Sequence, residues 1–474
     1  MKNLYRIVMA SAIVLGAVAM QAQTVSPVDF MRMNPYQMKT NPAADLPYES
    51  VMSLVVGNIG LDVQNTTLRY DNLFEFDAQG LPQTVNLRQF ANSLKENNFL
   101  GFDVNMDFFT LYHRLNKGMI TFNYGVKVQG DVEFNDGLFK LLGYGNGAFV
   151  GENNPAEVDL DMNVQAYQEF AVGYQWNVTE QLSLGTRAKL LFGLANVTTD
   201  AFGAKLYTDA NSYALRLEEN IAMRMAMPGV VYAEEGQLMT NGVFNPGDLF
   251  SNPGFGIDLG AEYRFNDQFS AVAAVNDLGF IHWGLNNIEM ASSINDAGQF
   301  YDDGSFLFNG MDVDQLQLVI GDKAYRELFM DTLQQYFQVD FAPLEKYNTM
   351  LNTNLLLRGN YDIDAHNRFS LQAQGRFLGS GFRPAATVAY SGSFFRMLDV
   401  CATYTVMPNS YDNIGLGLAG NFGIFHIYLT TNNVISYFKP LNASSINAQV
   451  GIVFNLRQPE KSLVDESGTP DGLE

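Results

Sequence analysis

The chain is short of several things, and each shortage removes a class of protein. Its single cysteine, Cys401, excludes an internal disulfide framework and a thiolate metal cluster. Charged residues make up 16% of its 474 residues, where an average soluble domain carries roughly 25%. Basic residues are scarcer still, with 28 Lys and Arg against 50 Asp and Glu and a net charge of -22. Nucleic acid and anionic lipid heads both call for clustered cations, so no nucleic-acid partner is expected. Past residue 22 there is no run of 18 apolar residues, which excludes a membrane-spanning helix. The four histidines, His113, His282, His366 and His426, show no metal-ligand spacing, and no G-x-S-x-G elbow occurs. We therefore expect no catalytic residue, no metal and no cofactor.

What is present is aromatic and alternating. Phe (36) and Tyr (23) greatly outnumber Trp (2). From Phe255 to Phe265, one parity carries Phe255, Ile257, Leu259, Ala261, Tyr263 and Phe265. The other carries Gly256, Asp258, Gly260, Glu262 and Arg264. A period of two is that of a β-strand. The pattern recurs at Leu100–Phe108, Ile120–Val128, Val158–Tyr174, Leu182–Leu194 and Ile446–Leu456. A closely spaced series runs from Thr349 to Thr431, and a strand beginning at Val51 places Val55, Ile59, Leu61 and Val63 on one face. Weaker strands are expected near Ala204–Asp209 and Tyr213–Met225, and a helical spacing links Tyr325 to Phe337 within the longest excursion.

About fourteen segments of this kind (range 12–16) are long enough to cross a bilayer at the usual tilt. Within lipid, a sheet must pair its own backbone, so it spans only as a closed antiparallel barrel, apolar outside and polar inside. The fold class read here is all-β: a transmembrane antiparallel β-barrel with partly helical extracellular loops. Residues 1–22 read as a signal peptide, with Lys2 and Arg6 ahead of an apolar stretch. Residues 23–50 read as a plug-like segment, 51–456 as the barrel and 457–474 as a polar disordered tail. An even strand number puts both termini on the periplasmic side, and the location implied is the bacterial outer membrane, with membrane lipid as a partner.

Three stretches carry a resemblance: Asn41-Pro42-Ala43-Ala44, the Phe255–Phe265 strand and the run Val275–Trp283. The chain resembles an uncharacterised Bacteroidetes-type family of outer-membrane barrels related to the FadL long-chain fatty-acid transporters. The resemblance implies about fourteen strands, an N-terminal plug in the lumen that includes Asn41, Pro42, Ala43 and Ala44, and uptake of a hydrophobic or small amphipathic solute. The chain ends in a polar tail rather than an aromatic residue, and Phe454 is the nearest aromatic candidate.

Candidate site residues are the charged members of the inner parity: Asp103, Asp107, Lys127, Asp159, Asp161, Arg187, Lys189, Asp258, Glu262 and Arg264. They either set the selectivity of passage or form a salt-bridge network that fills a narrow barrel. Gly415-Leu416-Gly417-Leu418-Ala419-Gly420 matches G-x-G-x-x-G but lies inside a strand, where it cannot cradle a pyrophosphate. Asp362, Asp364 and Asn367 are close enough for a small calcium loop, though a hairpin turn favours the same residues. Met223, Met225 and Met227 suit either an adaptable apolar lining or ordinary packing. The rival functional reading is a non-conducting structural or interaction barrel, such as an accessory to secretion or surface assembly.

Overall fold

A computed structural model describes residues 25–32, 34–44, 50–66, 69–76, 82–211, 213, 215–227, 231–234, 237–240, 246–285, 287–292, 299–300, 339–379, 381–394, 397–408, 410–438, 443 and 445–457. The expected signal peptide, the tail from residue 458 and the Tyr325–Phe337 spacing lie outside the described residues.

Fourteen strands follow one another around the wall: β1 (Ser50–Asn65), β2 (Asn98–Leu115), β3 (Gly118–Phe134), β4 (Ala156–Asn177), β5 (Leu182–Thr208), β6 (Asn252–Arg264), β7 (Phe269–Trp283), β8 (Asn354–Asp362), β9 (Asn367–Leu378), β10 (Gly381–Phe394), β11 (Leu398–Met407), β12 (Ser410–Phe422), β13 (Phe425–Thr431) and β14 (Ser445–Arg457). Every neighbouring pair is antiparallel, and β14 returns to β1 through pairs such as Leu54↔Phe454 and Leu61↔Ala448. The barrel is closed, so no strand of it is left with an unpaired edge.

The two ends differ. One is closed by turns of two to four residues, at 116–117, 178–181, 265–268, 363–366 and 423–424. The other carries the long connections, among them 66–97, 135–155, 209–251 and 284–353. Short periplasmic turns and long extracellular loops are the pattern of outer-membrane barrels. Local chemistry explains the tight end: the Asn266 side chain accepts from the Gln268 and Phe269 amides, at 2.9 Å each. Asp364 does the same for His366 and Asn367, at 2.7 and 2.8 Å. The Asn367 side-chain amide, which also donates to this carboxyl, and then those backbone bonds hold it below the usual range, and the candidate calcium loop is a hairpin turn.

The outer face is apolar. Phe255, Leu259, Tyr263 and Phe265 are 51%, 45%, 41% and 60% exposed, as a lipid-facing row requires. Near the short-turn end, outward rings pair as Tyr263–Phe265, Phe269–Tyr361 and Phe425–Phe454 with centroids 4.8–5.1 Å apart, an aromatic girdle at the interface. The closed barrel with its apolar outer rows places the protein in the bacterial outer membrane.

Bulges break the strict parity. Between Val56 and Ile59 the register of β1 slips at Gly57, which takes φ +65°. Val55 is thereby turned inward and fully buried while Ile59 faces out, so the two do not share a face as expected. In β2 an extra residue makes both Phe108 and Phe109 point outward. In β7 the bulge falls at Asp277, a non-glycine residue with φ 57°. The expected weak strand near Ala204 is the upper part of β5, which runs 27 residues without a break. Above the membrane β4 and β5 are joined by Leu215–Ala226, and this by Asn287–Ser292 and Val339–Pro343. Helices Leu87–Ser93 and Gly137–Tyr144 pack together at the long-loop end through Phe90 and Phe139.

Candidate functional site

Residues 25–32 and 34–44 of the N-terminal segment lie inside the barrel. Ser26 opens a short 3-10 turn, Pro27–Phe30, with a reciprocal cap through Asp29. Asn34 caps a second, Pro35–Lys39. Proline at the first position of each turn fixes φ and removes a donor that would have no partner. The segment rests on opposite walls at its two ends, and glycine makes both contacts possible. On β12, a Cβ at Gly417 would meet Pro27 Cβ at 3.0 Å and Met31 Sδ at 3.2 Å. On β5 and β6 the paired Gly185 and Gly260 face the Pro42–Ala43 turn, and a Cβ at Gly185 would sit 2.0 Å from the Pro42 carbonyl oxygen. The G-x-G of the sequence is thus part of a floor for the segment. Ser26 Oγ meets Thr430 Oγ1 at 2.9 Å, Asn41 Nδ2 donates to Glu262 at 2.9 Å, and Asn276 Nδ2 donates to the Thr40 carbonyl at 2.9 Å. Burial raises the Asp29 carboxyl to about 6, against the opposing pull of Arg358, whose guanidinium donates to the Asp29 carbonyl and covers the Phe30 ring.

Beside this segment a belt of ionic side chains crosses six consecutive strands, β2 to β7. Arg187 pairs with Asp258 at 2.7 Å and Glu169 at 3.3 Å. Lys189 meets Asp258 at 2.6 Å and Asp277 at 2.5 Å, and Lys127 meets Glu169 at 3.0 Å and Asp277 at 3.2 Å. The Asp277 amide donates to Asp258 at 2.7 Å, so the bulge itself is tied into the belt. At the β2 end, Asp107 accepts from Lys39 at 2.5 Å, Tyr36 Oη at 3.0 Å, Asn58 at 2.9 Å and Asn123 at 3.0 Å. Burial draws the Lys39 ammonium down from its ordinary value, opposed by Asp107 and Glu169. Pairing and hydrogen bonding are what allow such charges to be buried.

At the long-loop end a cavity of about 50 Å³ lies between β1, β2, β9 and β10. Phe99, Phe102 and Met407 give it an apolar side, and Gln374, Arg376 and Arg383 a polar one. Arg376 pairs with Asp103 at 3.1 Å, and Arg383 pairs with Glu133 and covers the Phe99 ring at 4.2 Å. Each keeps its Nε buried without an acceptor, and so does Gln374 its Nε2.

Of the ten candidate residues, Asp107, Lys127, Arg187, Lys189 and Asp258 are brought together in the belt. Asp103 lies apart, paired with Arg376, which lines the cavity. Glu262 meets the N-terminal segment, and Arg264 is exposed at the short-turn end. Asp159 and Asp161 are not lumen residues: both are exposed on β4 above the belt, bonded to Asn135 at 3.1 Å and Thr199 at 2.9 Å. Alternation continued past the height of the lumen, which the sequence does not mark. The candidate set lacked Glu169, Asp277, Lys39, Arg358 and Arg376. Glu169 lies on the parity of Gln165 and Tyr167 and was legible; Asp277 owes its direction to a bulge that no alternation reveals. Met225 packs with Ile288 and Phe341, which favours packing over a ligand lining.

No curated protein matches the chain. Solved structures it is similar to include the Ralstonia pickettii toluene transporter TbuX, at 8% identity over 91% of this chain and 98% of that one, with a TM-score of 0.43. The Pseudomonas putida toluene transporter TodX is 10% identical over 89% and 94%, with a TM-score of 0.41. A Pseudomonas aeruginosa FadL homologue is 10% identical over 92% and 95%, with a TM-score of 0.39. A family model covers residues 42–432, and by that match the chain belongs to DUF5723, a family of unknown function.

Proposed function

We propose that the protein passes a hydrophobic or small amphipathic solute across the outer membrane through a lumen gated by its residues 23–50. The observation that carries this reading is the cavity at the long-loop end, because it has what an amphipathic solute needs at the point of entry. Phe99, Phe102 and Met407 receive the apolar part, and the side chains of Gln374, Arg376 and Arg383 line the side that would take the polar part. Below the cavity the N-terminal segment and the belt fill the lumen, so passage requires the segment to move. Lumen charges then select among the solutes that enter.

The belt favours a second reading. Buried, paired charges along six strands of the wall are also what a structural or interaction barrel carries, one that never opens. Liposomes containing the purified protein, with and without residues 23–50, separate the two. Uptake or conductance that rises on removal of the segment supports passage. If both forms behave as empty liposomes, gated passage is wrong and the structural barrel stands.

A further inference from the structure

The charges of the belt do not balance within the wall. The wall supplies three cations, Lys127, Arg187 and Lys189, and four anions, Asp107, Glu169, Asp258 and Asp277. The fourth cation is Lys39, which the N-terminal segment brings to Asp107. Sequence positions 25–44 hold Asp29, Arg32 and Lys39, so the segment carries one net positive charge into the lumen. Two of the four donors on Asp107, Lys39 and Tyr36, belong to this segment and leave with it; Asn58 and Asn123 stay. Asn123 has a second property. It is almost wholly buried, its amide nitrogen is bonded to Asp107 and to Thr110 at 2.8 Å, and its Oδ1 has no donor. Without the segment the Asp107 carboxylate keeps two neutral amide donors and no cation.

We propose that Asp107, held in place by Asn58 and Asn123, forms a seat for a small ammonium cation, filled in the closed barrel by the protein's own Lys39, and that the segment leaves when an external ammonium group takes that place. The inference rests on the reading that residues 23–50 gate the lumen. The seat is monovalent because one carboxylate is left unbalanced, and it selects N–H donors over bare charge because Lys39 is held there through an N–H···O bond at 2.5 Å. A buried carboxylate stripped of its only cation is strongly unfavourable, so the opening is coupled to its replacement. A primary ammonium fits; a tetramethylammonium, with no N–H, does not.

The test uses the full chain, with trypsin cleavage at Arg32 as the measure of segment release, at pH 7.5 and constant ionic strength. Methylammonium at ten times its Kd raises the cleavage rate roughly tenfold by linkage, and tetramethylammonium leaves it unchanged. Lys39→Met alone raises cleavage without added cation. The double variant Lys39→Met with Asp107→Asn, which removes both charges at nearly constant shape, docks the segment and abolishes the response to methylammonium. Equal effects of the two cations, a response that survives in the double variant, or no cleavage under any condition would each overturn the seat. Ammonium-dependent cleavage without solute uptake in liposomes removes the passage reading and leaves the seat; uptake without ammonium dependence does the reverse.

Discussion

At the scale of residues, glycine and one strained aspartate define the interior. Gly185 has no room for any side chain, since its Cβ would overlap the Pro42 carbonyl. Gly185→Val keeps a good strand former in β5 but pushes the Pro42–Ala43 turn away. Overpacking of this kind costs about 1–3 kcal/mol, so segment release, read by tryptic cleavage at Arg32, is expected to rise about fivefold or more. An unchanged cleavage rate would show that the turn does not bear on Gly185. Asp277 supplies both a positive φ and a carboxylate between Lys127 and Lys189. Asn tolerates that backbone conformation, so Asp277→Asn isolates the charge. Removing one partner from buried ion pairs typically costs about 3–5 kcal/mol, and the melting temperature of the folded barrel is expected to fall accordingly. A melting temperature equal to that of the parent would mean the belt contributes little.

At the scale of elements, the N-terminal segment has its own pH dependence. The Asp29 carboxyl titrates near 6 in place and near 3.8 when free. The docked form therefore holds the proton more tightly, so docking is strongest below about pH 4 and weakens as pH rises through 6. Each tenfold gain in proton affinity corresponds to about 1.4 kcal/mol. Cleavage at Arg32, corrected for the activity of the protease, is expected to increase across that window, and Asp29→Asn to flatten the profile. A profile falling with pH would reverse the sign. The elements themselves were largely legible in the sequence, because a bilayer imposes the same period of two on every strand. Phe255–Phe265 reads correctly at every position on its outer row. The misreadings fall at Gly57, where one extra residue exchanges the faces, and at Asp159 and Asp161, where β4 outruns the lumen, while Asp277 was passed over because alternation does not reveal its bulge. Lys39 was out of reach for another reason: its partner is 68 positions away, and only closure of the barrel brings them together.

At the scale of the whole molecule, the inequality of the two ends fixes an orientation that can be checked in cells. Leu138 is exposed on the Gly137–Tyr144 helix at the long-loop end, and Asp267 lies in a short turn. The native Cys401 is fully buried and gives little background. In intact cells, an impermeant maleimide is expected to label Leu138→Cys and to spare Asp267→Cys until the outer membrane is broken. The opposite pattern would invert the barrel.

The wall is also of very unequal height. β5 has 27 residues and β13 has seven, while about nine to eleven suffice to cross the bilayer. At about 3.3 Å per residue, much of β5 stands clear of the lipid, stiffened by β4 and by the strand Leu215–Ala226. The cell surface therefore displays a one-sided fin of folded sheet. An antibody or a phage arriving from outside meets a shape fixed by cross-strand pairing, and a binder raised against this region should recognise the folded protein and lose it on denaturation.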